Sequence, residues 1–378
     1  MIGAALVVLI PSLLAYANGA NDVSKGIATL VGSGVTSYRR AILWGTACTA
    51  LGAVAASVTA GAMMATFGSG LLAAGVTPSF PAAIGALAGA AAWVLIATRA
   101  SLPVSTTHAL VGSVVGAAAI AYGVGGVSWP LLGGKVVIPL LVSPLAAFVL
   151  GRLASRVLAR AFSGGGDTAD CLCVDVRSAP AVAWAGAGSA ALGAMPGIDV
   201  SLAAGDAVTC RRAMPAALRV TGDHLHWLSS GAVSFARGLN DAPKIVGVAL
   251  ATELLAPSSW IFSSNRLFVL VSAGIVLGSL VAGRRVTRVL AEDVTPMNRR
   301  EGLAANLVTA TLVAAGAVYG LPLSTTHVSS GGIVGMGAER GSLDWAKVRE
   351  IAAAWVITLP AAALLGALSC ALARALTF

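Results

Sequence analysis

The sequence predicts an all-α polytopic membrane protein. The expected plan is two inverted-topology repeats of about five membrane segments each, with broken or re-entrant helices around a midplane site. Three observations point there. Of the 378 residues, 57% are hydrophobic and only 10% are charged, against about 25% charged in a soluble domain. The apolar residues run in blocks near the ~20 residues that one bilayer crossing needs. Two polar motifs recur at one fixed separation in the chain.

The apolar blocks give ten segments, at about 1–30, 41–66, 81–98, 104–122, 134–160, 226–252, 264–284, 301–319, 324–338 and 350–376. The 45 glycines suit helices that approach closely in lipid. The net charge of +9 is distributed by topology and does not suggest nucleic acid. Arg39 and Arg40 follow the first segment, Arg152, Arg156 and Arg160 end the fifth, and Arg284, Arg285, Arg288, Arg299 and Arg300 lie between the seventh and eighth. Lys347 and Arg349 lie between the ninth and tenth. An exterior N-terminus and ten crossings bring all of these to the cytoplasmic side, in keeping with the positive-inside bias. Both termini are then expected outside.

Residues 17–30 read ANGANDVSKGIATL and residues 236–249 read ARGLNDAPKIVGVA. Ala17, Gly19, Asn21, Asp22 and Lys25 return as Ala236, Gly238, Asn240, Asp241 and Lys244, 219 positions on. Residues 102–116, LPVSTTHALVGSVVG, return at the same separation as LPLSTTHVSSGGIVG. Two motifs at one separation imply duplication of a five-segment unit. An odd segment count makes the second copy enter the membrane from the opposite side, an arrangement typical of secondary transporters. The domains expected are a first repeat over 1–162, a central cytoplasmic insert over 163–222 and a second repeat over 223–378. The insert is richer in Gly, Asp, Arg and Pro, and its alternating run CLCVDV reads as a strand. Cys171, Cys173 and Cys210 with His224 and His226 match no standard zinc spacing, and an inert connector is the plainer reading.

Asp22, Lys25, Asp241 and Lys244 fall inside apolar segments, where an ionised group costs at least about 2.5–3.5 kcal/mol. Each Asp is three residues from its Lys and shares a helix face with it. These pairs either hold helices together or belong to a transport site, the ordinary meaning of intramembrane charge. Gly19, Gly238 and Pro243 suggest helix breaks, whose free carbonyls would join the Asn and Asp oxygens around a hard monovalent cation. Pro103 and Pro322 favour helix starts, with Ser105 and Ser324 as N-caps and Thr106, Thr107, Thr325 and Thr326 in the first turns. Two such N-termini facing each other suit a tetrahedral oxyanion. His108 and His327 either lock these turns or titrate near neutral pH. Arg237, at the position matching Asn18, breaks the symmetry and either pairs with Asp241 or adds positive charge at the pathway mouth.

These motifs resemble the inorganic phosphate transporter family of bacterial low-affinity permeases and mammalian sodium-phosphate carriers. The matching runs are Gly19-Ala20-Asn21-Asp22, Gly238-Leu239-Asn240-Asp241 and the two Leu-Pro-x-Ser-Thr-Thr-His segments. The resemblance implies a plasma-membrane homodimer that moves phosphate by sodium or proton symport, with no tightly bound cofactor. It implies that Asn21, Asp22, Asn240 and Asp241 serve the coupling cation, with Na+ at Asp22 and Asp241, and orient the anion. Ser105, Thr106, Thr107, Ser324, Thr325 and Thr326 would contact phosphate. Lys25, Lys244, Arg237, His108 and His327 would tune the charge. Lys25 and Val94 stand where the family often has Asn, and Asn306 where Glu is common, so the ammonium of Lys25 is expected to weaken sodium dependence in favour of protons.

A permease for sulfate or another tetrahedral oxyanion is the nearest alternative. An intramembrane hydrolase is more remote, because no Gly-x-Ser-x-Gly elbow precedes Ser105. No nucleotide-binding G-x-x-x-x-G-K-[ST] loop is present to drive a pump.

Overall fold

The structure, a computed structural model, describes residues 2–161, 171–179, 197–205, 218–251 and 263–377. In chain order the first helices are α1 (Ile2–Gly32), α2 (Tyr38–Thr59), α3 (Gly61–Ala65), α4 (Phe80–Arg99), α5 (Thr106–Tyr122) and α6 (Ile138–Ala161). The later helices are α7 (Gly222–Leu250), α8 (Ser264–Ala282), α9 (Arg284–Arg288), α10 (Arg299–Val318), α11 (Thr325–Arg340) and α12 (Trp345–Thr377). Strands β1 (Cys171–Ala179), β2 (Gly197–Gly205) and β3 (Leu218–Thr221) lie between the two sets in sequence.

The chain divides into two units. One comprises Met1–Ser155 and His226–Phe378, the other Arg156–Leu225. The smaller unit carries an antiparallel sheet in the order β2-β1-β3, with Cys171 opposite Gly205 and Thr221. The alternation in CLCVDV thus gave β1 correctly. At its end the Thr221 N–H donates to His224 Nδ1 and the His224 N–H to Thr221 Oγ1, a reciprocal cap at the start of α7. Cys210 lies outside the described residues, and no three His, Cys, Asp or Glu side chains form a metal-binding group among the described ones.

Among the described residues, seven helices are long and apolar enough to cross a membrane. Their outward faces carry exposed Val58, Leu145, Val269 and Leu364, as lipid contact requires and water would penalise. This is a polytopic membrane protein. The ten expected segments are not ten equal spans. α5 and α11 have 17 and 16 residues, short of the ~20 needed. α7 has 29 residues, but Arg237, Asp241 and Lys244 interrupt its apolar surface.

The expected breaks in the Asp-bearing helices do not occur. α1 runs unbroken through Gly19, and α7 runs through Gly238 and Pro243. Gly19 and Gly238 permit contact instead. A Cβ on Gly19 would land on the Ile275 carbonyl of α8, and one on Gly238 on the Thr49 carbonyl of α2. The second motif repeats this device. Gly112 and Gly116 lie against the Leu359 and Ala363 carbonyls of α12, while Gly331 and Gly335 lie against those of Pro144 and Phe148 in α6. Small residues at matched positions thus let backbones touch, which is how apolar helices gain packing energy without a hydrophobic drive in lipid.

The turns before the two motifs are also alike. Ser101 (φ 60°) and Gly320 (φ 66°) are both left-handed. The Leu102 N–H donates to Ala97 O, and the Leu321 N–H to Gly316 O, closing each preceding helix with a Schellman turn. The chain then enters Pro103 or Pro322 and restarts as α5 or α11.

Candidate functional site

The motif residues from both halves meet in one buried polar cluster. Asn21, Asp22 and Asn240 are fully buried, and Lys25, Arg237, Asp241 and Lys244 are at most 3% exposed. Isolated ions would not survive there, so their partners decide what the cluster can do.

On α1, the Lys25 ammonium donates to Asp22 Oδ1 at 2.6 Å, Asn21 Oδ1 at 2.7 Å and Asn21 O at 3.0 Å. Three oxygens of one helical turn thus enclose one tethered cation. Asn21 Nδ2 donates to Thr98 Oγ1 and Leu102 O, each at 3.0 Å, which fixes α1 to the end of α4. On α7, Lys244 Nζ donates to Thr107 Oγ1 at 2.7 Å, Leu323 O at 3.2 Å and Asp241 Oδ1 at 3.4 Å. Asn240 Nδ2 donates to Asp241 Oδ1 at 2.9 Å and to Leu323 O at 3.0 Å. The second ammonium is therefore also held by three oxygens, but two of them come from the STTH segments rather than from α7.

Ser105 and Ser324 cap α5 and α11, each accepting from the N–H of the His three residues on, at 3.1 and 3.2 Å. Thr106 Oγ1 donates to Asp22 Oδ2 at 2.8 Å. The next threonines cross between the motifs. Thr107 Oγ1 donates to Leu323 O at 3.4 Å and Thr326 Oγ1 to Val104 O at 2.8 Å, so each helix start is tied to the residue before the other's cap. Thr325 is buried beside them. His108 and His327 follow, with ring centroids 4.4 Å apart, and His327 also packs on Trp355 at 4.0 Å. His327 Nδ1 lies 3.4 Å from Leu140 O, while His108 Nδ1 has no partner among the described residues.

Of the two roles open to Arg237, the pair with Asp241 does not form. Its Nη2 donates to Thr49 Oγ1 at 2.9 Å, and its Nε and Nη1 find no acceptor among the described residues. The close contact of Gly238 with α2 brings Thr49 within reach and turns the guanidinium that way. Counted as ions, three cations face two carboxylates. Val94 accepts from Thr98 Oγ1, and Asn306 joins Thr29 to Ser229.

A model of the phosphate transporter family matches residues 18–366, which includes every group just described. The chain belongs to the phosphate transporter family. Among related proteins, a "probable low-affinity inorganic phosphate transporter" of Mycobacterium bovis is 27% identical over 369 residues, covering 96% of this chain and 76% of its own. A candidate phosphate permease of Thermococcus kodakarensis is 28% identical over 398 residues, covering 94% and 93%. The fold is shared with a solved structure described as the sodium-dependent phosphate transporter, at TM-score 0.79 and 22% identity over 99% of this chain and 100% of that one. Proteins of the phosphate transporter family carry cargo and are not enzymes, so the hydrolase reading falls. The capping role of Ser105 agrees, since its Oγ accepts from a backbone N–H rather than facing the His108 ring.

Besides Thr98, Asn18 was not legible as functional from the motifs. Asn18 Nδ2 donates to Asp22 Oδ2 at 2.9 Å, Thr106 Oγ1 at 3.0 Å and Asp241 Oδ2 at 3.2 Å. It bridges both carboxylates. The available signal was a lone amide one turn before Asp22 on an apolar helix.

Proposed function

We propose that this protein is a secondary active carrier that moves inorganic phosphate across the cytoplasmic membrane in symport with a cation. One observation supports phosphate above other oxyanions. The buried cluster holds unpaired groups of both kinds: among the described residues, Asn18 Oδ1 and Asn240 Oδ1 accept no hydrogen bond, while Arg237 Nε and Nη1 donate none. Both amides flank Asp241. A buried polar atom left unpaired costs about 1–3 kcal/mol, so this cluster favours a guest that accepts and donates. Phosphate near neutral pH carries oxygens for the guanidinium and hydroxyl protons for the amides or carboxylates. Sulfate supplies acceptors only, and so remains the second reading. The phosphate-site residues are Ser105, Thr106, Thr107, Ser324, Thr325, Thr326, Asn21 and Asn240, joined by Asn18 and Arg237.

In this proposal the two halves form an inverted-topology repeat in a homodimer. The first spans 1–162 and the second 223–378, with a cytoplasmic connector between them and both termini outside. The reciprocal Thr107–Leu323 and Thr326–Val104 bonds and the matched glycine contacts support two equivalent units. Alternating access would then open the cluster to one side at a time. Asp22 and Asp241 would serve the coupling cation. The oxygens that would suit a free sodium ion beside Asp22 already hold the Lys25 ammonium, so protons are the coupling ion proposed here.

Radiolabelled phosphate uptake into proteoliposomes of the purified protein, with sodium, pH and sulfate varied independently, tests this reading. The expected result is saturable uptake driven by an imposed proton gradient and poorly inhibited by sulfate. Equal competition by sulfate would move the substrate assignment to oxyanions in general, and no uptake under any gradient would end it.

A further inference from the structure

A cavity of about 810 Å³ opens beside the buried cluster, within the larger unit. Its charged lining is Arg99 at the end of α4, Arg284, Arg285 and Arg288 of α9, and Glu292. The single carboxylate is already engaged. Tyr38 donates to its Oε1, and Arg288 Nε lies 3.1 Å from its Oε2. These contacts, the Tyr38 bond first, hold the Glu292 carboxyl below its ordinary value, so it stays a charged counter-ion to Arg288. Arg284 lies over the Tyr38 ring at 5.1 Å. Arg99 and Arg285 complete a wall of surplus positive charge.

The cavity also reaches the transport cluster. Thr98 and Ala20 line it. Thr98 Oγ1 accepts from Asn21 Nδ2 at 3.0 Å, and Ala20 is the residue before Asn21. One hydroxyl thus separates the arginine wall from the Asn21–Asp22–Lys25 group.

We propose that this cavity is a second oxyanion site, a vestibule that holds a phosphoryl group at one mouth of the transport path. Guanidinium forks match phosphate oxygens in pairs, which a lysine ammonium does not. A concave wall of one sign concentrates its counter-ion locally by about 10–10³-fold. The cavity is far larger than one phosphate, so the anion is held hydrated and loosely, as suits a staging point rather than a trap. The occupant is cargo phosphate or the phosphate headgroup of an anionic lipid entering between α4 and α9; the chemistry is the same. The choice of cargo rests on the phosphate-carrier reading above.

Equilibrium binding of radiolabelled inorganic phosphate to the whole protein in phosphatidylcholine nanodiscs tests the proposal. Wild type is expected to bind two equivalents, the weaker one salt-sensitive because it is open to solvent. In Arg99→Gln/Arg285→Gln the weaker class loses at least about tenfold in affinity, while the tight class persists and reports an intact fold. The same assay in discs containing phosphatidylglycerol identifies the occupant. Loss of the weak phosphate class there, with lipid retention abolished by the double variant, assigns the vestibule to headgroups. Persistence assigns it to cargo. A single equivalent in wild type, or a weak class indifferent to the double variant, overturns the vestibule alone. Absence of any phosphate binding overturns the transport reading with it.

Discussion

Asn18 of α1 donates from Nδ2 to Asp241 Oδ2 of α7 at 3.2 Å, across 223 positions of sequence. The same amide reaches Asp22 and Thr106. The carboxylates of the two motifs thus share one donor. A change of protonation or of partner at one carboxylate is therefore felt by the other through a single side chain. Hydrogen bonds to charged groups contribute about 1.5–3 kcal/mol each, so this bridge is a strong constraint on the cluster.

Asn18→Leu keeps the size of the side chain and removes the bridge. Initial phosphate uptake is expected to fall at least about tenfold, the equivalent of one such bond. Detergent-solubilised variant should still run as a single species on size exclusion. Uptake within twofold of wild type would remove Asn18 from the site.

Asp22→Asn and Asp241→Asn are each expected to abolish uptake while the protein still reaches the membrane. Each leaves a buried ammonium without its carboxylate, a loss of about 3–5 kcal/mol for a buried pair. Asp22→Asn/Lys25→Gln removes that uncompensated charge. It should recover thermal stability without recovering transport, which separates folding from function. Normal phosphate flux through either single variant would show that its carboxylate plays no part.

Ser101 adopts the left-handed turn that Gly320 adopts before the second STTH motif. A side chain in that conformation costs about 1–2 kcal/mol, and glycine adopts it freely. Ser101→Gly should therefore raise the thermal midpoint in detergent, and Gly320→Ser should lower it by a larger amount. Gly320 also has Ala62 close by, so the second change is the more costly of the two. A drop in stability for Ser101→Gly would mean that the serine side chain contributes more than its strain removes.

The paired motifs were legible because they reside in residue identity. Two motifs at one separation named Asn21, Asp22, Lys25, the STTH turns and their partners, and the structure brings them into one cluster. The CLCVDV strand was legible from its period of two. Helix continuity at Gly19, Gly238 and Pro243 was not, because glycine weakens a helix in water yet admits a neighbouring backbone in lipid, and only the neighbour distinguishes the two. The direction of Arg237 depends on α2, whose approach at Gly238 no local pattern records. Thr98 and Asn18 were hidden for a related reason. Their roles come from α4 and α7 meeting α1, which is information held between helices.

Lys25 provides the test of the coupling ion. Its ammonium lies 2.6–3.0 Å from Asp22 Oδ1, Asn21 Oδ1 and Asn21 O. Carboxylate, amide and carbonyl oxygens are the donors that a hard cation takes, so the tethered charge and a free sodium ion compete for the same atoms. Wild-type uptake should persist when choline replaces sodium, provided that a proton gradient is imposed. In Lys25→Asn the oxygens lose their built-in cation and the amide adds another oxygen. That variant should become dependent on sodium, with uptake in choline reduced at least about tenfold, the loss of about 1.4 kcal/mol of cation binding. Both proteins can be read in one proteoliposome assay with sodium titrated against choline. Loss of wild-type uptake in choline, with the proton gradient intact, would mean that sodium binds despite Lys25 and that the ammonium serves the anion instead.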